Sequence, residues 1–161
     1  MSLIKVIGIG SPFGEDRIGW EVINVLKKQR VISKFESNTL TLDCCRLPQL
    51  ELLDLMEGAE IVFLVDAVQS DGVVGEIYRL ENEEIYSISY GISTHSLSIA
   101  HVLQLGQILG ILPERIILYG IEVGCLSGFN ISHKVLEISK NNLLEKLTKE
   151  IIDVLGLTPT R

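Results

Sequence analysis

Three cysteines stand in 161 residues, and their placement excludes more than it offers. Cys44, Cys45 and Cys125 form no metal-knuckle spacing, and adjacent cysteines rarely bridge to each other. An odd count without an export signal suits reduced thiols in the cytoplasm. No basic n-region, apolar h-region or cleavage site precedes the first strand. No apolar run approaches the ~20 residues that cross a bilayer, so no membrane association is expected. Runs of like charge, low-complexity tracts and repeats are also missing, which leaves an ordered globular chain, read as one domain over 1–161. Positive charge is scarce: a formal net charge of −7 argues against a nucleic-acid surface. Lys27, Lys28 and Arg30 cluster only where cations complement the end of a helix.

Familiar catalytic motifs are lacking too. There is no H-E-x-x-H, no G-x-S-x-G elbow, no Walker lysine and no C-x-x-C pair. "GIGSPFG" has the spacing G-x-G-x-x-x-G rather than G-x-G-x-x-G. Glu15 and Asp16 follow it, where they would repel a pyrophosphate seeking a bare helix N-terminus. Asp43, near the end of the second strand, is the one feature that favours a ribose contact and keeps a Rossmann-like nucleotide-binding module as an alternative.

The patterning present is that of an α/β protein. "LIKVIGI" predicts a strand over 3–9, and Ile18, Val22, Val25 and Leu26 recur at helical spacing over 18–28. "NTLTLD" predicts a second strand over 38–43, and Pro48 opens a short helix closed by Gly58. "IVFLVDAV", 61–68, is a continuous β-branched run that expects cover on both faces, as a central parallel strand has. A turn at Asp71-Gly72 leads to a short strand near 76–80. A helix over about 96–109 is expected to bury Leu97, Ala100, Leu103 and Ile108. A last strand follows over 115–123. Beyond Ser132, a plausible N-cap, comes a helix with Leu144, Leu147, Ile151 and Leu155 in one stripe. The expected fold is three-layer α/β, a twisted and mostly parallel sheet with helices on both faces.

In such a sheet, ligands bind beyond the carboxyl ends of the strands. Three candidate ligands fall there. Asp16 lies in the loop after the first strand, Asp66 near the end of the buried third strand, and His95 at the start of the helix near Ser96. Burying Asp66 without a partner costs several kcal/mol or more, so it expects either a turn to cap or a cation. Glu15 and Asp16 have a plain alternative as dipole-favoured acids before a helix. Two carboxylates and an imidazole together suit a divalent transition metal such as nickel or zinc. His101 and His133 are weaker candidates.

"GIGSPFGEDRIGWEV", "IVFLVDAV", "STHSLSIAHVL" and "ILYGIEVG" occur in the order and spacing of the hydrogenase maturation endopeptidases, which the chain resembles over nearly its whole length. The resemblance implies a cytoplasmic aspartyl-type peptidase that removes the C-terminal extension of a nickel-loaded hydrogenase large-subunit precursor. It implies a metal-binding and catalytic set of Asp16, Asp66 and His95. Asp16 is chosen over Glu15 because the family's acid lies three residues before the glycine opening the first helix, here Gly19. The metal implied is Ni2+ carried by the precursor, with other divalent ions as substitutes. Whether Asp16 or Asp66 also acts as base is open. So is the oligomeric state, a monomer being one option. A paralogue acting on another nickel hydrogenase, or binding without cleavage, is the alternative within the family. Departures from the family pattern are Ser11, Arg17, "DCCRL" after the second strand, and "GIEVG" without its usual proline.

Overall fold

In the computed structural model the described residues are 3–10, 17–35, 39–70, 72–89, 94–124 and 133–156. Five strands form one sheet in the order β2-β1-β3-β5-β4. They are β1 (Ile4–Ile9), β2 (Leu40–Cys45), β3 (Ile61–Val68), β4 (Ile77–Glu81) and β5 (Arg115–Glu122). β1 pairs in parallel with β2 and with β3, and β3 in parallel with β5, in the register Ile61↔Arg115 to Val68↔Glu122. β4 is antiparallel to β5 and forms the edge. Central position explains the unbroken hydrophobicity of β3: seven of its eight residues are buried, as a parallel strand covered on both faces requires.

The two faces carry separate cores. On one, α1 (Ile18–Lys28) and α5 (His133–Val154) set Ile18, Val22, Ile23, Leu26, Leu143, Leu144, Leu147 and Ile151 against Val6, Phe63, Val65 and Ile121. On the other, α3 (Pro48–Met56), α4 (Thr94–Leu109) and a 3-10 helix (Asn82–Ser89) cover Ile7, Ile9, Val62, Leu64 and Leu118. A short α2 (Arg30–Ser33) follows α1. This is the three-layer arrangement expected.

Several details differ from the sequence expectation. Val25 is 37% exposed, and Ile23 takes the core position instead; residues 18, 22, 23 and 26 are the set on one helical face. Ile108 is 83% exposed, because the buried stripe of α4 runs through Ile99, Ala100, Val102 and Leu103, and position 108 lies well off that stripe at ~100° per residue. β2 extends through Cys45, so Cys44 and Cys45 are strand residues. α4 starts at Thr94, which puts His95 inside its first turn. The 3-10 helix has no signal in the pattern. The expected cap at Ser132 and the turn residue Asp71 lie outside the described residues, as does the Leu97 side chain.

β4 has little apolar burial and is held by charge. Arg79 Nε sits 3.1 and 3.2 Å from the two carboxylate oxygens of Glu150 on α5, and the Tyr119 hydroxyl donates to the same carboxylate. Arg115 closes on Glu81 at 2.7 Å. Burial, with Glu150 alongside, pushes the Tyr119 phenol up to about 12.

The tightest contact is where α1 meets the sheet. A Cβ on Gly19 would lie 2.4 Å from the Ile9 carbonyl oxygen and 2.7 Å from that of Val65; one on Gly8 would lie 2.3 Å from the Gly19 oxygen. The first turn of α1 therefore rests directly on the ends of β1 and β3. Gly19→Ala is expected to lower stability by about 1–3 kcal/mol through overpacking, read from a urea unfolding curve. Gly58→Ala meets no atom within 4 Å and should incur only the left-handed backbone penalty of about 1 kcal/mol. Equal losses in the two would refute the contact.

Candidate active site

β1 sends its connection to β2 and β3 sends its own toward β5, so the strand order reverses between β1 and β3. A crevice opens at such a point beyond the strand ends. Asp66 stands on its β3 side. It alternates with Val62 and Leu64, and so shares the sheet face that α3 and α4 cover. Its side chain is 2% exposed, and its Oδ1 accepts the Ala67 N–H at 2.8 Å. The turn-capping alternative for this acid is thus partly realised, since one oxygen is held by the next backbone amide.

The other two candidates are reached through their elements. α4 leads into Arg115 at the start of β5, so its first turn, with His95, lies at the carboxyl edge on the Asp66 face. The His95 side chain is outside the described residues. Asp16 and Glu15 are outside them as well. Their flanks are described: the Gly10 N–H donates to the Cys45 carbonyl at 3.0 Å, and Gly19 packs against the Val65 oxygen, one residue before Asp66. Gly10 and Gly19 thus both lie at the carboxyl ends of the strands. Among the described residues no group of three His, Cys, Asp or Glu is placed to hold a metal ion. Asp66 is among those residues, whereas Asp16 and the His95 side chain are not.

The surroundings sort the remaining polar residues. Cys45 is buried, and desolvation together with Glu51 pushes its thiol up to about 12; burial also raises Cys44. Burial thus disfavours the thiolate form of both. His101 and His133 are exposed. Between the starts of α1 and α5 lies a cleft of about 160 Å3 lined by Arg17, Glu21, His133, Glu137 and Lys140. Its charges are matched, with Lys140 Nζ 2.9 Å from Glu21 and 2.7 Å from Glu137.

One residue was missed by the sequence reading. Glu122, at the end of β5, has no solvent exposure. It accepts the Ser70 N–H at 2.9 Å, the Gly124 N–H at 3.0 Å, the Tyr78 hydroxyl at 3.1 Å and the Ser70 hydroxyl. Burial alone would raise its carboxyl, but these donors outweigh burial and hold it below the ordinary glutamate value. The signal was available: an acid ending a buried apolar strand, as Asp66 does in "IVFLVDAV".

The sequence family described as hydrogenase maturation protease (HycI) matches residues 21–152. The chain belongs to the hydrogenase maturation proteases. The matched span includes Asp66 and His95 and begins after Asp16. Among solved structures, the hydrogenase maturating endopeptidase HybD from E. coli superposes with a TM-score of 0.75 at 20% identity, covering 94% of this chain and 93% of that one. The NiFe hydrogenase maturation protease HybD from Thermococcus kodakarensis gives 0.64 at 18% identity, over 91% and 97%. HycI from Thermococcus kodakarensis KOD1 gives 0.59 at 18%, over 92% and 91%. At these identities the structures speak for the fold. No curated protein matches the chain in sequence. This maturation protease is a peptidase of a family that cleaves the C-terminal extension of the hydrogenase large-subunit precursor.

The carboxylate at the end of β5 has a pH consequence. Its folded value lies below the ordinary 4.5, so its stabilisation is complete above about pH 5 and is lost as pH falls through the lower folded value. Glu122→Gln should cost about 1–3 kcal/mol near neutrality, with the gap to the unaltered protein narrowing as pH falls toward about 3. A gap that stays constant in urea titrations across that range would contradict the assignment.

Proposed function

We propose that Asp16, Asp66 and His95 complete the coordination of nickel already carried by the large-subunit precursor, and that this engagement licenses removal of its C-terminal extension. The observation that carries the proposal is the placement of Asp66. It is a buried acid at the carboxyl end of the central strand, beside the β1/β3 switch point, on the face that the first turn of α4 closes. Coupling cleavage to a metal adds a test that a peptide pocket alone does not supply, because a precursor without the ion fails to present its ligand sphere.

Bound nickel supplies polarisation of the scissile carbonyl or a lowered pKa for the attacking water. The protein's residues do the rest. Asp66 is oriented by the Ala67 amide, which leaves its carboxylate fixed at the crevice rather than free to rotate. Asp16 follows β1 in the chain, in the segment between Gly10 and Gly19, and His95 belongs to the first turn of α4. Ligation is the first role of both carboxylates, with proton transfer from water as a secondary role, the sense in which the enzyme is an aspartyl protease. Other divalent ions of similar size and softness should be read less well.

The family match displaces the nucleotide-binding alternative. Among the described residues no helix is long and apolar enough to cross a membrane. A cytoplasmic enzyme working as a single domain over 1–161, without nucleic acid, is the setting proposed, and a monomer would suffice for the chemistry.

Asp16→Asn, Asp66→Asn and His95→Ala proteins are expected to keep their circular dichroism spectra yet lose at least ~100-fold in cleavage of nickel-loaded precursor, the scale of a lost catalytic group. Mass spectrometry of the precursor reads the outcome. Full conversion by Asp66→Asn would remove the basis of the proposal.

A further inference from the structure

An open sheet has two edges, and in this protein they differ. β4, at one end, carries Arg79, ion-paired with Glu81 and Glu150, and Glu81, ion-paired with Arg115. Charge of this kind guards an edge against added strands. β2, at the other end, reads LTLDCC, with no lysine, arginine or proline. Its register with β1 runs unbroken from Ile4↔Leu40 to Ile9↔Cys45, so no bulge turns the edge away.

The pairing fixes which backbone groups of β2 point outward. The Ile4 N–H donates to the Thr39 carbonyl at 2.8 Å, and the Gly10 N–H donates to the Cys45 carbonyl at 3.0 Å. Between these ends a parallel ladder turns alternate residues toward the neighbouring strand. Thr41, Asp43 and Cys45 therefore direct their backbone groups at β1, and Leu40, Leu42 and Cys44 direct theirs away from it. The Leu40 N–H is taken by the Phe35 carbonyl at 3.1 Å, which closes the amino end of the edge. Among the described residues, none takes up the Leu42 or Cys44 N–H or the Leu42 carbonyl. Donors and acceptors spaced in this way are complementary to an extended polypeptide backbone. The open stretch is level with the proposed site: Gly8 pairs with Cys44 on one side and with Val65, next to Asp66, on the other.

We infer that the C-terminal extension of the precursor adds to the sheet as a further strand along residues 42–44 of β2, and that this pairing delivers the chain to the crevice at Asp66. The occupant follows from the chemistry of the edge and from the activity of the family, whose substrate is a segment of polypeptide. The inference deepens the reading of Asp66 and rests on it for where the chain is cut. With strands ~4.8 Å apart, the added strand runs about 14 Å from β3, three spacings away. At ~3.3 Å per residue, roughly four to five residues separate the paired stretch from the bond that is cut. Backbone pairing takes no account of most side chains, so the edge grips the extension while the metal discriminates between precursors.

The test is steady-state cleavage of nickel-loaded precursor, semisynthesised so that one backbone amide of the extension at a time carries an N-methyl group. Methylation removes a donor, as proline does, and only every second residue of a strand faces its neighbour. KM should rise about three- to tenfold for methyl groups on alternate residues of the paired stretch and hold for those between, with kcat within about twofold. On the enzyme, Cys44→Pro removes one outward N–H without touching the β1 ladder and should raise KM by a similar factor. Cys44→Ala keeps that N–H and should leave KM unchanged. Shortening the extension to ~4 residues beyond the cut should raise KM as well. If Cys44→Pro fails to fold, the methylated and shortened precursors decide. KM values without alternation, or without dependence on the length of the extension, overturn the inference. So does a dimer that Cys44→Pro dissociates while KM holds, since a second copy then occupies the edge. Asp66→Asn keeps the two claims apart: full activity there sinks the metal-site reading and leaves the methylation pattern standing, whereas an inactive Asp66→Asn with flat KM values sinks only the strand pairing.

Discussion

The contact between α1 and the sheet governs the rest. Gly8 and Gly19 let two backbones approach to a distance that any side chain would prevent, and this fixes where the first helix begins. Because Gly19 rests on the Ile9 and Val65 carbonyl oxygens, the first turn of α1 is held at the ends of β1 and β3. A bulkier residue at either position would lift the helix start off the strand ends. The seating of α1 on the ends of β1 and β3 is thus set by one steric constraint, with the apolar stripe Ile18, Val22, Ile23 and Leu26 supplying the force that keeps the surfaces together.

The two buried acids show how the same sheet edge uses one chemical group for different ends. Asp66 sits where the strand order reverses and the crevice opens, and its Oδ1 is held by a neighbouring amide. Glu122 sits one strand over, under a loop, with four donors converging on it. Burial penalises the charge in both cases. Their described hydrogen bonds differ in origin. Local backbone orients Asp66, whereas groups from β4 and from two loops enclose Glu122.

Much of this was legible in the residues. The continuous run of β3, the Pro48 start of α3 and the periodicity of α5 follow from local patterning, and their observed spans agree closely with expectation. Asp66 was legible because an acid within such a run is costly and so informative. Val25 and Ile108 were misplaced because helical spacing defines a face without saying how wide the partner surface is, and the sheet selected Ile23 and Val102 instead. The 3-10 helix depends on the insertion of β4 against β5, a pairing between distant segments. Glu122 carried the same signal as Asp66, but its partners Ser70 and Tyr78 lie 52 and 44 residues away. Its enclosure is a property of the folded sheet.

The account treats the enzyme as a reader of metal as well as of sequence, and nickel-dependent cleavage tests that directly. One large-subunit precursor is prepared in nickel-loaded and nickel-free forms, and each is incubated with the same enzyme while the mass of the product is followed. The account predicts conversion of the loaded form to the shorter chain and no conversion of the nickel-free form. Equal cleavage of the two would contradict it.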